Sequence, residues 1–122
     1  MTTVMVVDDE AFIVDLYRDI LKLKGYEVVA TAYDGDEAVK KFRSMGKRPD
    51  IIILDHRMPT KNGIETMGEI LAMDKESVIL FVSADVMIEQ AALTNGAAGF
   101  LSKPFSMDDL VESIERLRRP KE

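Results

Sequence analysis

The sequence predicts an α/β domain, a parallel sheet with helices on both faces, and three observations carry that prediction. Strand-like apolar runs alternate with helix-like periodic segments five times along the 122 residues. Runs such as Val4-Met5-Val6-Val7 and Ile51-Ile52-Ile53-Leu54 are apolar at every position, as strands covered on both sides must be. Acids close both of these runs, Asp8 and Asp9 after the first and Asp55 after the second. Ligand sites of such sheets lie beyond the carboxyl ends of the strands, so the acids are expected to share one crevice.

Each element has its own signal. Residues 11 to 24 read as the first helix, because Phe12, Leu16 and Ile20, with Ile13 and Tyr17, recur at three- and four-residue spacing. Gly25 stops it, and Glu27 to Ala32 reads as the second strand. Asp34-Gly35-Asp36 makes a turn that starts a helix carrying Ala38, Val39 and Phe42, and Pro49-Asp50 introduces the third strand. After Asp55, a loop from Pro59 to Gly63 leads into a helix with Ile64, Met67, Ile70 and Leu71. The fourth strand is read as Val78 to Val82, and Ala91, Ala92 and Leu93 mark a short fourth helix. Gly96 and Gly99 bracket the end of that helix and the start of a brief strand, Phe100-Leu101. Ser106 with Asp109 has the spacing of a capping box, opening a final helix whose Met107, Leu110, Val111, Ile114 and Leu117 face inward. Pro120 is expected to end the structure.

Composition removes several classes of function. With 47% hydrophobic and 31% charged residues the chain has the make-up of a soluble globular domain, and no apolar stretch approaches the length of a membrane span. No linker, repeat or low-complexity segment divides it, so one domain over residues 1–122 with no attached output domain is expected. The start lacks the basic and apolar segments of a secretory signal, which points to the cytoplasm. Having no cysteine excludes disulfides and thiolate metal sites, and a lone histidine, His56, excludes a multi-histidine zinc centre. A net charge of −6 disfavours nonspecific binding to nucleic acid. The basic cluster Arg116, Arg118, Arg119 and Lys121 reads as cations complementing the carboxyl end of the last helix.

The chemistry gathers at the strand ends. Strands one, three, four and five deliver Asp8 and Asp9, Asp55, Ser83 and Lys103 to one edge. Two carboxylates about 4 Å apart at an effective dielectric of about 20 repel by roughly 4 kcal/mol, so acids ionised together call for a cation. A hard ion such as Mg²⁺ takes one or two carboxylates plus substrate oxygens, a role for Asp9 and Asp55 with Asp8 behind them. If Asp55 is a nucleophile that takes a phosphoryl group, the Lys103 ammonium and Ser83 hydroxyl can contact the equatorial oxygens. Singly, these residues read as strand-end turns, helix caps or surface cations. Together they read as a site.

Asp8-Asp9, Asp55, Met58-Pro59 with Asn62-Gly63, Ser83 and Lys103-Pro104-Phe105, in this order and spacing, resemble the receiver domains of two-component response regulators. The similarity extends from Met1 through the last helix. It implies a flavodoxin-like (βα)5 fold with strand order 2-1-3-4-5 and a cis peptide between Lys103 and Pro104. It also implies Asp55 as the phosphorylated residue, and Mg²⁺, with Mn²⁺ as an alternative, held by Asp8, Asp9, Asp55 and the backbone carbonyl of Arg57. Ser83 and Phe100 take the positions of a switch, the hydroxyl moving toward the phosphoryl group and the aromatic ring turning inward behind it. Phe100 lacks the phenolic hydroxyl that many relatives carry, so it contributes packing and no hydrogen bond. The implied donor is a sensor histidine kinase or a phosphotransfer protein. The implied output is a target protein docked on helix four, strand five and helix five, without direct nucleic-acid or membrane contact, by a monomer or weak dimer. A role as phosphorelay intermediate stays equally open.

Other residues qualify this picture. Arg57 and Asp85 would flank the phosphoryl group and are expected to pair across the mouth of the site, slowing water attack. Strand alternation points His56 away from Asp55. The eight methionines read as core and helix-surface filling, with Met87 on the partner surface. Among rival functions, a Mg²⁺-dependent phosphatase with an aspartyl nucleophile wants a second acid where Arg57 stands. A flavin carrier wants phosphate-binding donors where Asp8-Asp9-Glu10 would repel an anion. A phospho-independent interaction module would have no use for five chemically competent site positions.

Overall fold

Burial on both faces explains why the strands carry apolar runs without alternation. The computed structural model describes residues 1–118, so Arg119, Lys121 and the terminating role given to Pro120 lie outside the described residues. The elements are β1 (Thr3–Val7), α1 (Ala11–Leu23), β2 (Glu27–Ala32), α2 (Gly35–Ser44), β3 (Ile51–Asp55), α3 (Gly63–Met73), β4 (Ile79–Ser83), α4 (Glu89–Thr94), β5 (Gly99–Ser102) and α5 (Met107–Leu117). A single 3₁₀ turn, Val86–Ile88, leads into α4. All neighbouring strands pair in parallel in the order β2-β1-β3-β4-β5, as the resemblance implied.

Alternate residues of the central strands feed two cores. Val4, Val6, Ile51, Ile53, Leu80 and Val82 pack with Val14, Tyr17 and Leu21 of α1 and Leu110 and Ile114 of α5. Met5, Val7, Ile52, Leu54, Ile79 and Phe81 pack on the other side with Phe42 of α2, Met67 and Ile70 of α3, and Ala92 of α4. The strand register aligns the carboxyl ends of β1, β3, β4 and β5 along one edge.

Helix termini follow the local chemistry. Gly25 has φ +89, a left-handed conformation that suits glycine, and it closes α1. The Asp34 side chain accepts from Glu37 N at 2.8 Å to cap α2. The capping box opening α5 is present in both directions, Asp109 N to Ser106 Oγ at 3.0 Å and Ser106 N to Asp109 Oδ2 at 3.2 Å. A second box, Asn62 with Glu65, opens α3.

Three expectations need correction. The inward stripe of α1 is Val14, Tyr17 and Leu21, whereas Phe12 is 76% exposed and Leu16 45% exposed. Both stripes have helical spacing, so periodicity alone could not choose the one that meets the sheet. Met107, expected inward, is 40% exposed because it stands in the first turn of α5, ahead of the buried Leu110. Strand β4 begins at Ile79 rather than Val78 and runs on to include Ser83.

Candidate functional site

The site is built where β1 and β3 end. Asp8 follows β1 directly, its amide donating to Ala32 O of β2 at 3.1 Å, and its Oδ1 accepts from Glu10 N at 3.0 Å. Asp55 is the last residue of β3, and both acids are buried while Asp9 is exposed. One carboxylate oxygen from each of Asp8, Asp9 and Asp55 lies within 4.8 Å of the others. Mg²⁺ holds oxygen ligands at about 2.1 Å, so opposed ligands stand about 4.2 Å apart and small side-chain rotations would close this group around an ion. The all-oxygen donor set fits a hard divalent cation.

Lys103 enters from the loop after β5. Its Nζ lies 2.8 Å from Asp55 Oδ1 and 3.5 Å from Asp8 Oδ2, and its backbone amide donates to Ser83 O at 3.0 Å. The Lys103–Pro104 peptide is cis. Burial raises the Asp55 carboxyl above the ordinary aspartate value, Lys103 opposes the rise, and the negative charges of Asp8 and Asp9 add to it. Burial pulls Lys103 down, but its contacts with Asp55 and Asp8 prevail and leave it above the ordinary lysine value. One ammonium thus faces three acids, leaving net negative charge for a cation to neutralise.

Ser83 is buried at the end of β4, its Oγ accepting from Asp85 N at 3.0 Å. Phe100 on β5 is half-buried and lies over Phe81, ring centroids 6.3 Å apart and planes within 18°. Gly63 closes the loop after Asp55: its amide donates to His56 O at 2.8 Å, and a Cβ there would stand 2.8 Å from Asp55 O, from His56 Cα and from Phe81 Cζ. Only glycine permits that approach.

Arg57 and Asp85 line one pocket of about 370 Å³ with His56, Met58 and Asn62. The expected ion pair between them is absent among the described residues. Asp85 Oδ1 is engaged by Met87 N at 3.0 Å, capping the turn before α4, and this local bond holds its carboxylate. His56 turns away from the acids, its ring 5.6 Å from that of Phe81 and its buried Nδ1 without a hydrogen bond. Burial, aided by Arg57, holds its imidazole below the ordinary value.

Two features escaped the sequence reading. Tyr17 was named in the periodicity of the first helix, but its link to the acids was not: it is a core residue whose phenol is pushed up by burial first and then by the charges of Asp8 and Asp55. An apolar pocket of about 490 Å³ adjoins the site, lined by Ile13, Leu16, Tyr17, Lys103, Phe105 and Met107 among others. The second apolar stripe of α1 was the signal for it.

With this geometry in place, the description "response regulator receiver domain" fits residues 4–115, where that family's sequence profile matches. The chain belongs to the response regulator receiver family. The receiver is 38% identical over 120 residues to the chemotaxis protein CheY of Thermotoga maritima, covering 95% of this chain and 97% of that one. Among solved structures, it superposes on CheY in the CheX-CheY-BeF3-Mg²⁺ complex from Borrelia burgdorferi with a TM-score of 0.92 and 29% identity, over 98% of this chain and 90% of that one. The response regulator TrrA of Thermotoga maritima, solved with Mg²⁺ and BeF, gives a TM-score of 0.86 at 37% identity, over 96% and 99% of the two chains. Among the described residues of this receiver, no helix is long and apolar enough to cross a membrane.

Proposed function

We propose that the receiver is a phosphorylation-dependent signalling switch in which Asp55 takes a phosphoryl group from a phosphohistidine of a sensor kinase or phosphotransfer protein. The observation that carries this reading is the buried Asp55 carboxylate, bonded to Lys103 at 2.8 Å and within 4.8 Å of the Asp8 and Asp9 oxygens. An Asp55 oxygen attacks phosphorus, the O–P bond forms as the P–N bond breaks, and the histidine nitrogen departs with the electron pair. Asp8, Asp9, Asp55 and the Arg57 carbonyl would hold a divalent ion, Mg²⁺ or alternatively Mn²⁺, which when bound would supply positive charge against the phosphoryl oxygens. Lys103 follows the charge from the carboxylate to the phosphoryl group.

The switch uses groups already in place. Ser83 accepts from the Asp85 amide, and rotation of its hydroxyl to donate to a phosphoryl oxygen draws the β4–α4 connection toward Asp55. Phe100, beside Phe81, moves into the space vacated. The output face on α4, β5 and α5 adjoins the 3₁₀ turn before α4, where Met87, 85% exposed, and Val86, 60% exposed, form an apolar pair suited to a protein partner. The phosphodonor uses a different face: the apolar pocket beside Lys103, with the exposed Phe12 and Leu16 of α1, offers a docking groove next to the acceptor. Water later hydrolyses the acyl phosphate, and Arg57 and Asp85 flank its approach.

Incubation with acetyl phosphate and Mg²⁺, followed by mass spectrometry, tests this reading. One phosphoryl group is expected, on Asp55, acid-stable and alkali-labile, and absent from Asp55→Asn. Labelling at another residue, or none, would overturn it.

A further inference from the structure

The loop from His56 to Asn62 is fastened at both margins, and its outer fastening contains the only non-glycine residue with positive φ among the described residues. Thr60 has φ +67, and Lys61 N donates to Pro59 O at 2.8 Å across it, closing a three-residue turn. A β-branched residue in that region is strained, and such strain persists only where surrounding contacts over-determine it. Those contacts come from α2 and α3. Asp36 N, in the first turn of α2, donates to Thr60 Oγ1 at 3.4 Å. Lys61 Nζ bridges Asp36 Oδ1 at 2.6 Å and Glu69 Oε2 of α3 at 3.1 Å. Gly35 removes the last obstacle, since a Cβ there would stand 2.8 Å from Lys61 O and collide with Lys61 Cβ.

We propose that Thr60 and Lys61 form a clamp on α2 that positions the 56–62 loop, and with it the loop side of the acid site, for divalent-ion binding. This rests on the reading of Asp8, Asp9 and Asp55 as the ion's holders. Gly63 fixes the loop at its base against Asp55 O and His56, and the clamp fixes its far margin, so Arg57 is carried between two anchors. Loosening one anchor makes the ion bear the cost of ordering the loop. Electrostatics alone predicts no weakening for Lys61→Met, since removing a cation from the domain leaves attraction for another cation unchanged or stronger. A clamp predicts weaker binding.

The test is calorimetric titration of unphosphorylated protein with Mg²⁺, comparing wild type, Lys61→Met, Thr60→Gly and Lys61→Arg, with amide exchange of residues 57–63 measured without metal. Lys61→Met and Thr60→Gly are expected to weaken Mg²⁺ binding several-fold and to speed exchange of the backbone amide at position 61. Lys61→Arg, which keeps the charge and reach, is expected to stay close to wild type. Unchanged or tighter Mg²⁺ binding in Lys61→Met and Thr60→Gly would overturn the clamp, including the case in which exchange rises or thermal stability falls alone. Wild type that binds no Mg²⁺ would instead overturn the underlying reading of the acid site.

Discussion

The two edges of the sheet carry similar residues to opposite ends. At the amino edge, polar groups satisfy one another: Asp50 Oδ2 accepts from Thr3 N at 2.8 Å and from Thr3 Oγ1 at 3.2 Å, while Asp50 N donates to Thr3 Oγ1 at 3.0 Å. Nearby, the Tyr26 hydroxyl donates to Glu115, which Arg118 also engages at 3.1 Å. At the carboxyl edge, Asp8, Asp9 and Asp55 crowd within 4.8 Å against the single ammonium of Lys103. Closed local pairing stabilises the fold and leaves nothing to react. Unbalanced negative charge, held at the ends of buried strands that cannot move apart, is what a divalent cation would neutralise.

Lys103→Ala breaks this contrast most severely at the carboxyl edge. Asp55 then keeps its burial and its acidic neighbours but loses its 2.8 Å partner, so its carboxyl rises further. Phosphoryl acceptance from acetyl phosphate is expected to become slow, and the phosphorylated variant is expected to fail to bind target, which a pull-down with and without phosphodonor would read. Next in size is Asp9→Asn. Removing a carboxylate from the group should weaken Mg²⁺ by at least about tenfold, measured by calorimetry, with the fold intact because Asp9 is exposed. A substitution of Asp50 at the other edge should leave Mg²⁺ affinity unchanged and lower thermal stability instead, since it orphans the Thr3 amide.

How much of this was readable in the chain depended on the range of the interaction concerned. Ile51–Leu54 announced a doubly covered strand by composition, and the order of Asp8-Asp9, Asp55, Ser83 and Lys103 announced that they would meet at one edge, because strand ends fix where such side chains go. The rotation of α1 was not readable, since Phe12-Leu16-Ile20 and Val14-Tyr17-Leu21 both have helical spacing and the sheet selects between them. Nor was the separation of Arg57 from Asp85, because a two-residue backbone bond to Met87 holds the acid. The Thr60 turn shows in no pattern at all: threonine is not a residue that sequence reasoning assigns to positive φ.

Arg57→Ala gives a smaller effect at the mouth of the site. With no ion pair to Asp85, the part proposed for Arg57 rests on its position in the shared pocket, where it would crowd water near an acyl phosphate. Its loss should shorten the phosphorylated lifetime several-fold, followed by loss of label after donor removal. An unchanged lifetime would mean that the pocket is open to water with or without the guanidinium.

The smallest expected effect belongs to the amino edge, and its sign is fixed by the bonds there. Hydrogen bonds from Tyr26 and Arg118 hold the Glu115 carboxyl below the ordinary glutamate value. Its folded value therefore lies under its unfolded value, so its contribution to stability is full above the unfolded value and is lost as pH falls through the folded one. Tyr26 behaves oppositely: burial, with Glu115 beside it, raises the phenol, so its contribution is full below the unfolded tyrosine value and is lost as pH rises through the folded one. Glu115 is exposed, and solvent on its side screens the pair although Tyr26 is buried. Thermal melts of Glu115→Gln against pH should show a slightly flatter acid limb than wild type, and Tyr26→Phe a slightly flatter alkaline limb. Mg²⁺ affinity should not change in either variant, because this edge has no share in the charge imbalance at the other.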